Sequence, residues 1–158
     1  LYNFPNNTMA IGRLDEHSEG LLLLTTDGNM SEYFRDKSIE KEYYAQVDGI
    51  ISLIEIEQLK SGVEIGFEGK RYLTKPCKVS KLTEIPKLPL RSKKIRDDRH
   101  GPTSWVSIII TEGKFRQVRK MTAAVGLPTL RLVRVRVGEL QIENMFAGEV
   151  ISLKQMAK

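Results

Sequence analysis

The chain reads as an α+β fold with a mixed, mostly antiparallel sheet and flanking helices, and three observations lead there. Strand-like and helix-like stretches follow one another without the strict alternation that builds a parallel sheet. Several strand patterns are neighbours in sequence, so they can pair side by side. A hydrophobic content of 41% over 158 residues suffices for a packed core, in one domain or in two small lobes that share it.

The opening YNFPNNT has Asn, Pro and Thr without periodicity and reads as a loop. Residues 9–14 form a short strand. A polar loop around Asp15 follows, then a strand over 21–25 whose four consecutive leucines suggest burial. Asp27 has the character of a helix cap for 29–35. Residues 41–47 alternate Tyr43, Ala45 and Val47 against Glu42, Tyr44 and Gln46, the period of a half-buried strand. Ser52 and Glu55 are spaced as a capping box for a helix that runs to about Lys60 and stops at Gly62.

Residues 70–81 read as one strand, with Pro76 marking an edge or a bulge. Residues 83–102, with three prolines and the cluster KKIRDDRHGP, read as a long loop able to contact a polyanion. Residues 105–111 are β-branched and aromatic, a buried strand. Over 114–125 a helix aligns Phe115, Val118, Thr122 and Val125 on one face, with Arg116, Arg119 and Lys120 on another. Gly126 ends it and Pro128 prevents its resumption. Residues 130–137 form a strand with Val133, Val135 and Val137 against Leu132, Arg134 and Arg136, and 148–153 close the sheet.

No apolar run approaches the roughly 20 residues needed to span a membrane, and no basic-then-apolar signal segment opens the chain. A cytoplasmic, membrane-free protein is the expectation. The single cysteine, Cys77, cannot close an internal disulfide. His17 and His100 are far apart in sequence, which argues against structural zinc or any metal site. The net charge of +5 is concentrated: residues 112–136 hold seven basic side chains against one acid, so this stretch carries +6 and the remainder is close to neutral. A local basic patch on a near-neutral body suits a polyanion, nucleic acid first among candidates.

The stretch GRLDEHSEGLLLLTTDG, residues 12–28, fills every fixed position of G-R-L-D-x-x-S-x-G-L-L-L-x-T-x-D-G. It resembles the aspartate motif of the pseudouridine synthases, in the branch that modifies bacterial ribosomal RNA. KEYYAQVDG, residues 41–49, is similar to the family's tyrosine motif, with Ala45 in place of a valine. EGKFRQVRKMTAAVGLPTLRLVRVRVG, residues 112–138, is similar to its late basic motif. Arg116 stands where many relatives have histidine, as in a subgroup acting on large-subunit ribosomal RNA.

The resemblance implies a pseudouridine synthase fold with a central cleft and isomerisation of a specific uridine, with 23S ribosomal RNA as the expected substrate. It implies Asp15 as the catalytic residue and Tyr43, Arg119, Leu132 and Arg13 around the substrate. Tyr43 would stack on the target base, Arg119 pair with Asp15, and Leu132 line the uridine pocket. Lys114, Arg116, Lys120, Arg134 and Arg136 would bind RNA phosphates. Ribosomal RNA is the implied partner, the protein a monomer, and no cofactor is implied. The whole of 1–158 is expected to be the catalytic domain, without the opening strand and Lys-Pro pair that usually precede the aspartate motif.

The chemistry suits these residue types. A carboxylate can attack C1′ of the ribose or remove a proton from C2′, and the sequence does not choose between the two routes. A rigid guanidinium orients it. An apolar wall excludes the water that would hydrolyse a detached base. An RNA-binding or ribosome-assembly module on the same fold is the alternative, although an acid in the cleft of a pure binder would only repel phosphate.

Overall fold

The computed structural model describes residues 2–91 and 100–153. The cluster KKIRDDRHGP therefore lies mostly outside the described residues, and 83–91 run without helix or strand.

The chain first makes three short strands, β1 (Met9–Ala10), β2 (Glu19–Gly20) and β3 (Leu24–Thr25). Helix α1 (Gly28–Phe34) follows, capped by Asp27, whose carboxylate accepts from the Asn29 amide at 2.8 Å. Then come β4 (Lys41–Asp48), α2 (Leu53–Ser61), β5 (Glu64–Phe67), β6 (Lys70–Leu73), β7 (Lys78–Lys81), β8 (Thr103–Ile110), α3 (Gln117–Ala124), β9 (Thr129–Val137) and β10 (Leu140–Gln141).

The main sheet has six strands in the order β10-β9-β4-β8-β7, with β2 also on β9. Its neighbours are antiparallel apart from β2, which pairs parallel through Glu19 with Val133 and Gly20 with Arg134. This is the mixed, mostly antiparallel α+β architecture read from the sequence. The β-branched and aromatic runs of β4, β8 and β9 form its centre, with the β4–β9 ladder irregular at Glu42/Tyr43 and at Gln46/Val47. Helices α2 and α3 lie over the face presented by Ala45, Val47, Val106, Ile108 and Leu132, and Ile56, Leu59, Val118 and Met121 complete the core. The opposite face is polar at one end, where Glu42 accepts from Ser107 at 2.7 Å and from Arg136 at 3.0 Å.

Several expectations are corrected. The leucine run is not a buried strand: only Leu24 and Thr25 of 21–25 are in β3, and Leu22 and Leu24 are 46% and 38% exposed. The strand over 70–81 is two strands, split at 74–77, since Pro76 cannot donate to a ladder. Ser52 bonds the Glu55 side chain and not a backbone amide. The helix of 114–125 begins only at Gln117, because Arg116 takes a left-handed conformation (φ 52°), and this leaves Phe115 outside the helix and exposed. Residues 148–153 form no strand, and β10 is the element that closes the sheet. Among the described residues no helix is long and apolar enough to cross a membrane, and no group of three His, Cys, Asp or Glu could hold a metal.

Candidate active site

The Asp15 loop hangs between two anchors. On one side the Ile11 amide donates to the Leu23 carbonyl at 2.8 Å; on the other the Leu21 amide donates to the Arg134 carbonyl at 2.9 Å. Between them the Ser18 amide closes a turn on the Asp15 carbonyl at 2.9 Å. The chain must pass close to β9 at Gly20, where φ is +111° and a Cβ atom would fall 2.2 Å from the Arg134 carbonyl oxygen. Only glycine fits there without moving the backbone.

Arginines from α3 and β9 hold the loop. Arg134 is 7% exposed. Its Nε and Nη2 donate to the Leu21 carbonyl at 3.0 and 2.7 Å, and its Nη1 reaches the Arg13 carbonyl at 3.5 Å, so one guanidinium ties both flanks of Asp15. Arg119 donates to the His17 carbonyl at 3.0 Å and to Ser18 Oγ at 3.2 Å. Arg131 grips Glu19 through two bonds of 2.9 and 2.8 Å, and Arg91 adds a third at 2.6 Å. Burial raises the Glu19 carboxyl, but the bonds and charge of Arg131, then of Arg91, outweigh it and hold the group below the ordinary glutamate range.

The loop forms one wall of a cleft of about 470 Å³, within the size range of small-molecule sites. Asp15, Arg13, Tyr43, Leu132, Arg134, Lys114 and Arg116 all border it. The ladder explains part of this convergence: Tyr43 sits opposite Arg134 and Ala45 opposite Leu132, so Tyr43, Leu132 and Arg134 share one face of the sheet.

Other side chains stand differently from the expectation. Arg119 makes no direct ion pair with Asp15; it feels that charge at longer range. Burial and the nearby Arg116 lower the Arg119 affinity for its proton, Asp15 opposes them, and the Nε is buried without a hydrogen-bond partner. Arg134 and Arg136, expected at phosphates, have partners within the fold. The first is committed to carbonyls. The second donates to Glu42 at 3.0 Å, Glu40 at 3.3 Å and the Gly138 carbonyl at 2.7 Å. Lys120 is tethered to the Gly66 carbonyl at 2.9 Å.

The structure adds residues that sequence reading did not single out. Glu112 accepts from the Tyr72 hydroxyl, from the Lys75 amide at 2.9 Å and from Gln117 at 3.0 Å, joining the β5-β6 hairpin to the start of α3. Gln117 also accepts from the Lys114 amide at 3.2 Å and so closes the turn around Arg116. Lys41 donates to the Thr111 carbonyl at 2.8 Å; burial and Arg134 make its ammonium easier to deprotonate, against the pull of Glu112. Lys41 and Gln117 occupy fixed positions of the tyrosine and basic motifs, a signal that could have found them. Tyr72, on a short strand outside any motif, had none.

Residues 1–124 match the family model described as RNA pseudouridylate synthase. The chain is 40% identical over 146 residues to a protein of Xanthomonas axonopodis pv. citri named ribosomal large subunit pseudouridine synthase E, covering 91% of this chain and 75% of that one. It is 31% identical over 153 residues to ribosomal large subunit pseudouridine synthase B of Bacillus subtilis, covering 96% of this chain and 56% of the relative. A solved structure titled as a pseudouridylate synthase superposes with a TM-score of 0.69 at 26% identity, over 90% of this chain and 54% of that one. The chain thus spans about half to three quarters of the lengths of these proteins.

Proposed function

This chain belongs to the RNA pseudouridylate synthase family, and from that premise we propose that it isomerises a specific uridine of 23S ribosomal RNA, with Asp15 as the catalytic carboxylate. The observation that carries the reading is the shared cleft. Asp15, Tyr43 and Leu132 border one cavity, and Lys114 and Arg116 stand at the same opening.

In this reading the target uridine leaves its stack and enters the cleft, as bases must for chemistry on them. Tyr43 replaces the lost stacking partner, and Leu132 gives the base a dry, apolar wall. The Asp15 carboxylate then acts on the sugar. As a nucleophile it forms a bond to C1′ while the bond from C1′ to N1 breaks and its electron pair stays on the base. As a base it takes the C2′ proton while the same bond breaks. The base turns and C5 bonds to C1′ as the Asp15–C1′ bond breaks or, in the other route, as the C2′ proton is returned; C5 then gives its proton to solvent and N1 takes one up. Arg134 and Arg119 hold the loop throughout, which keeps the carboxylate aimed at the sugar. Lys114 and Arg116 meet phosphates flanking the target, so affinity falls as salt rises. Residues 1–158 act here as the catalytic domain. The names of the relatives, all large-subunit ribosomal enzymes, support the choice of substrate.

The test is chemical mapping of pseudouridine in unmodified large-subunit ribosomal RNA, as free transcript and in isolated subunits, after incubation with the chain. Carbodiimide adducts that survive alkali stop reverse transcription at pseudouridine. A new stop at one uridine is expected, and its absence from both substrates would reject the reading.

A further inference from the structure

Phe115 is the one large aromatic side chain at the cleft that is mostly exposed among the described residues: 55% of its surface is open. An apolar ring in water contributes nothing to the core, so the fold does not require it there. Its exposure has a specific cause. Arg116 adopts φ 52°, and Gln117 locks the turn by accepting from the Lys114 amide at 3.2 Å; together they turn Phe115 out of the line of α3.

The surroundings are cationic. The Lys120 ammonium lies 5.2 Å from the centre of the Phe115 ring and is pinned there by the Gly66 carbonyl at 2.9 Å. Lys114 and Arg116 flank it in sequence and border the same cleft. An exposed ring, backed by a tethered ammonium and set between cations that can meet phosphates, has the chemistry of a nucleobase platform. Every base has a π-face, and the ring loses little freedom when one settles on it.

Resting on the proposal that RNA is the substrate, we infer that Phe115 stacks on an unpaired base of the RNA outside the uridine pocket and so helps to hold the strand while the target is extruded. Tyr43 serves the target base within the cleft; Phe115 serves a neighbour at its mouth. The ring is thus a binding determinant and not a catalytic residue.

Four variants test this: Phe115→Leu, which keeps apolar volume but has no π-face, Phe115→Ala, and Phe115→Tyr and Phe115→Trp, which keep a ring. Binding is read with fluorescent oligouridylate, and KM and kcat by tritium release from 5-³H-uridine-labelled large-subunit ribosomal RNA. Loss of a single stack weakens binding by about 5- to 150-fold. Leu and Ala should show this loss, carried by KM and not by kcat, and Tyr and Trp should restore affinity. The thermal melts of all four should match the parent. Leu binding as well as Phe, or a loss confined to kcat, would overturn the platform. Failure of the enzyme reading is separable: the parent would release no tritium, while oligouridylate binding would still report on the ring.

Discussion

Arg134 holds the Asp15 loop against β9 through the Leu21 carbonyl, and its loss should show in both stability and rate. Consider Arg134→Met, which keeps the length of the stem and removes the donors. The bonds at 3.0 and 2.7 Å to the Leu21 carbonyl are lost, and the one to the Arg13 carbonyl, at 3.5 Å, is long enough to count for little. A hydrogen bond from a charged donor contributes about 1.5 to 3 kcal/mol net, and the two on one carbonyl act together. Removing a buried charge returns part of that, so a loss of about 2 to 3 kcal/mol is expected. With a urea slope of about 1 to 3 kcal/mol per molar, the unfolding midpoint should fall by roughly 1 M. Trp105, the single tryptophan and 8% exposed, supplies the fluorescence signal. Release of the loop should also displace Asp15, and a shift of about 1 Å can cost 10²-fold in rate. The salt dependence of RNA binding should not change. A variant as stable as the parent, whose salt slope drops by about 0.7, would refute the clamp and restore the phosphate contact.

The remaining expectations concern the same loop and rim. Arg116→Gly, at a left-handed position where glycine is at ease, should leave stability unchanged or slightly higher and lower the salt slope of RNA binding by about 0.7, measured by titration over a range of salt; an unchanged slope would exclude Arg116 from the phosphates. The Glu19 carboxyl titrates below its ordinary range in the folded chain, so its stabilisation is present above the unfolded carboxyl range near pH 4.3 and is lost as pH falls through the lower folded value. The gap in melting temperature between the parent and Glu19→Gln should therefore be widest near neutrality and close in acid, and a gap independent of pH would contradict the ion cluster.

Period-two patterning made β4, β8 and β9 legible because they lie at the centre of the sheet, where alternation and β-branching reflect burial directly. The β5-β6 hairpin was not, for a physical reason. Its turn residues, Glu68 and Gly69, both have positive φ (50° and 75°), but glutamate at the first position hides the usual Asn-Gly or Asp-Gly signal, and the strands are short and polar. At the site, spacing alone left Asp15 a plain turn residue; the resemblance of whole motifs to a known family singled out Asp15, Tyr43 and Leu132, which the fold brings to one cleft. The arginines were harder. Whether a guanidinium meets a phosphate or a carbonyl depends on which backbone comes within reach, and for Arg134 that backbone, at Leu21, is more than a hundred residues away in sequence. A run of basic residues reports charge; it does not report how much of that charge the fold has already neutralised. The same blindness applied to Phe115, which helical spacing aligned with Val118, Thr122 and Val125, although α3 begins only after the left-handed Arg116.

The most direct measurement is tritium release from 5-³H-uridine-labelled ribosomal RNA by the parent chain and by Asp15→Asn, with RNA affinity measured in parallel. Joining C5 to the sugar expels the label, so release reports the isomerisation itself. The parent should release tritium, and Asp15→Asn should bind RNA within a few-fold of the parent and release none. Release by Asp15→Asn at a comparable rate, or a fall in affinity as large as the fall in rate, would contradict a catalytic role for Asp15.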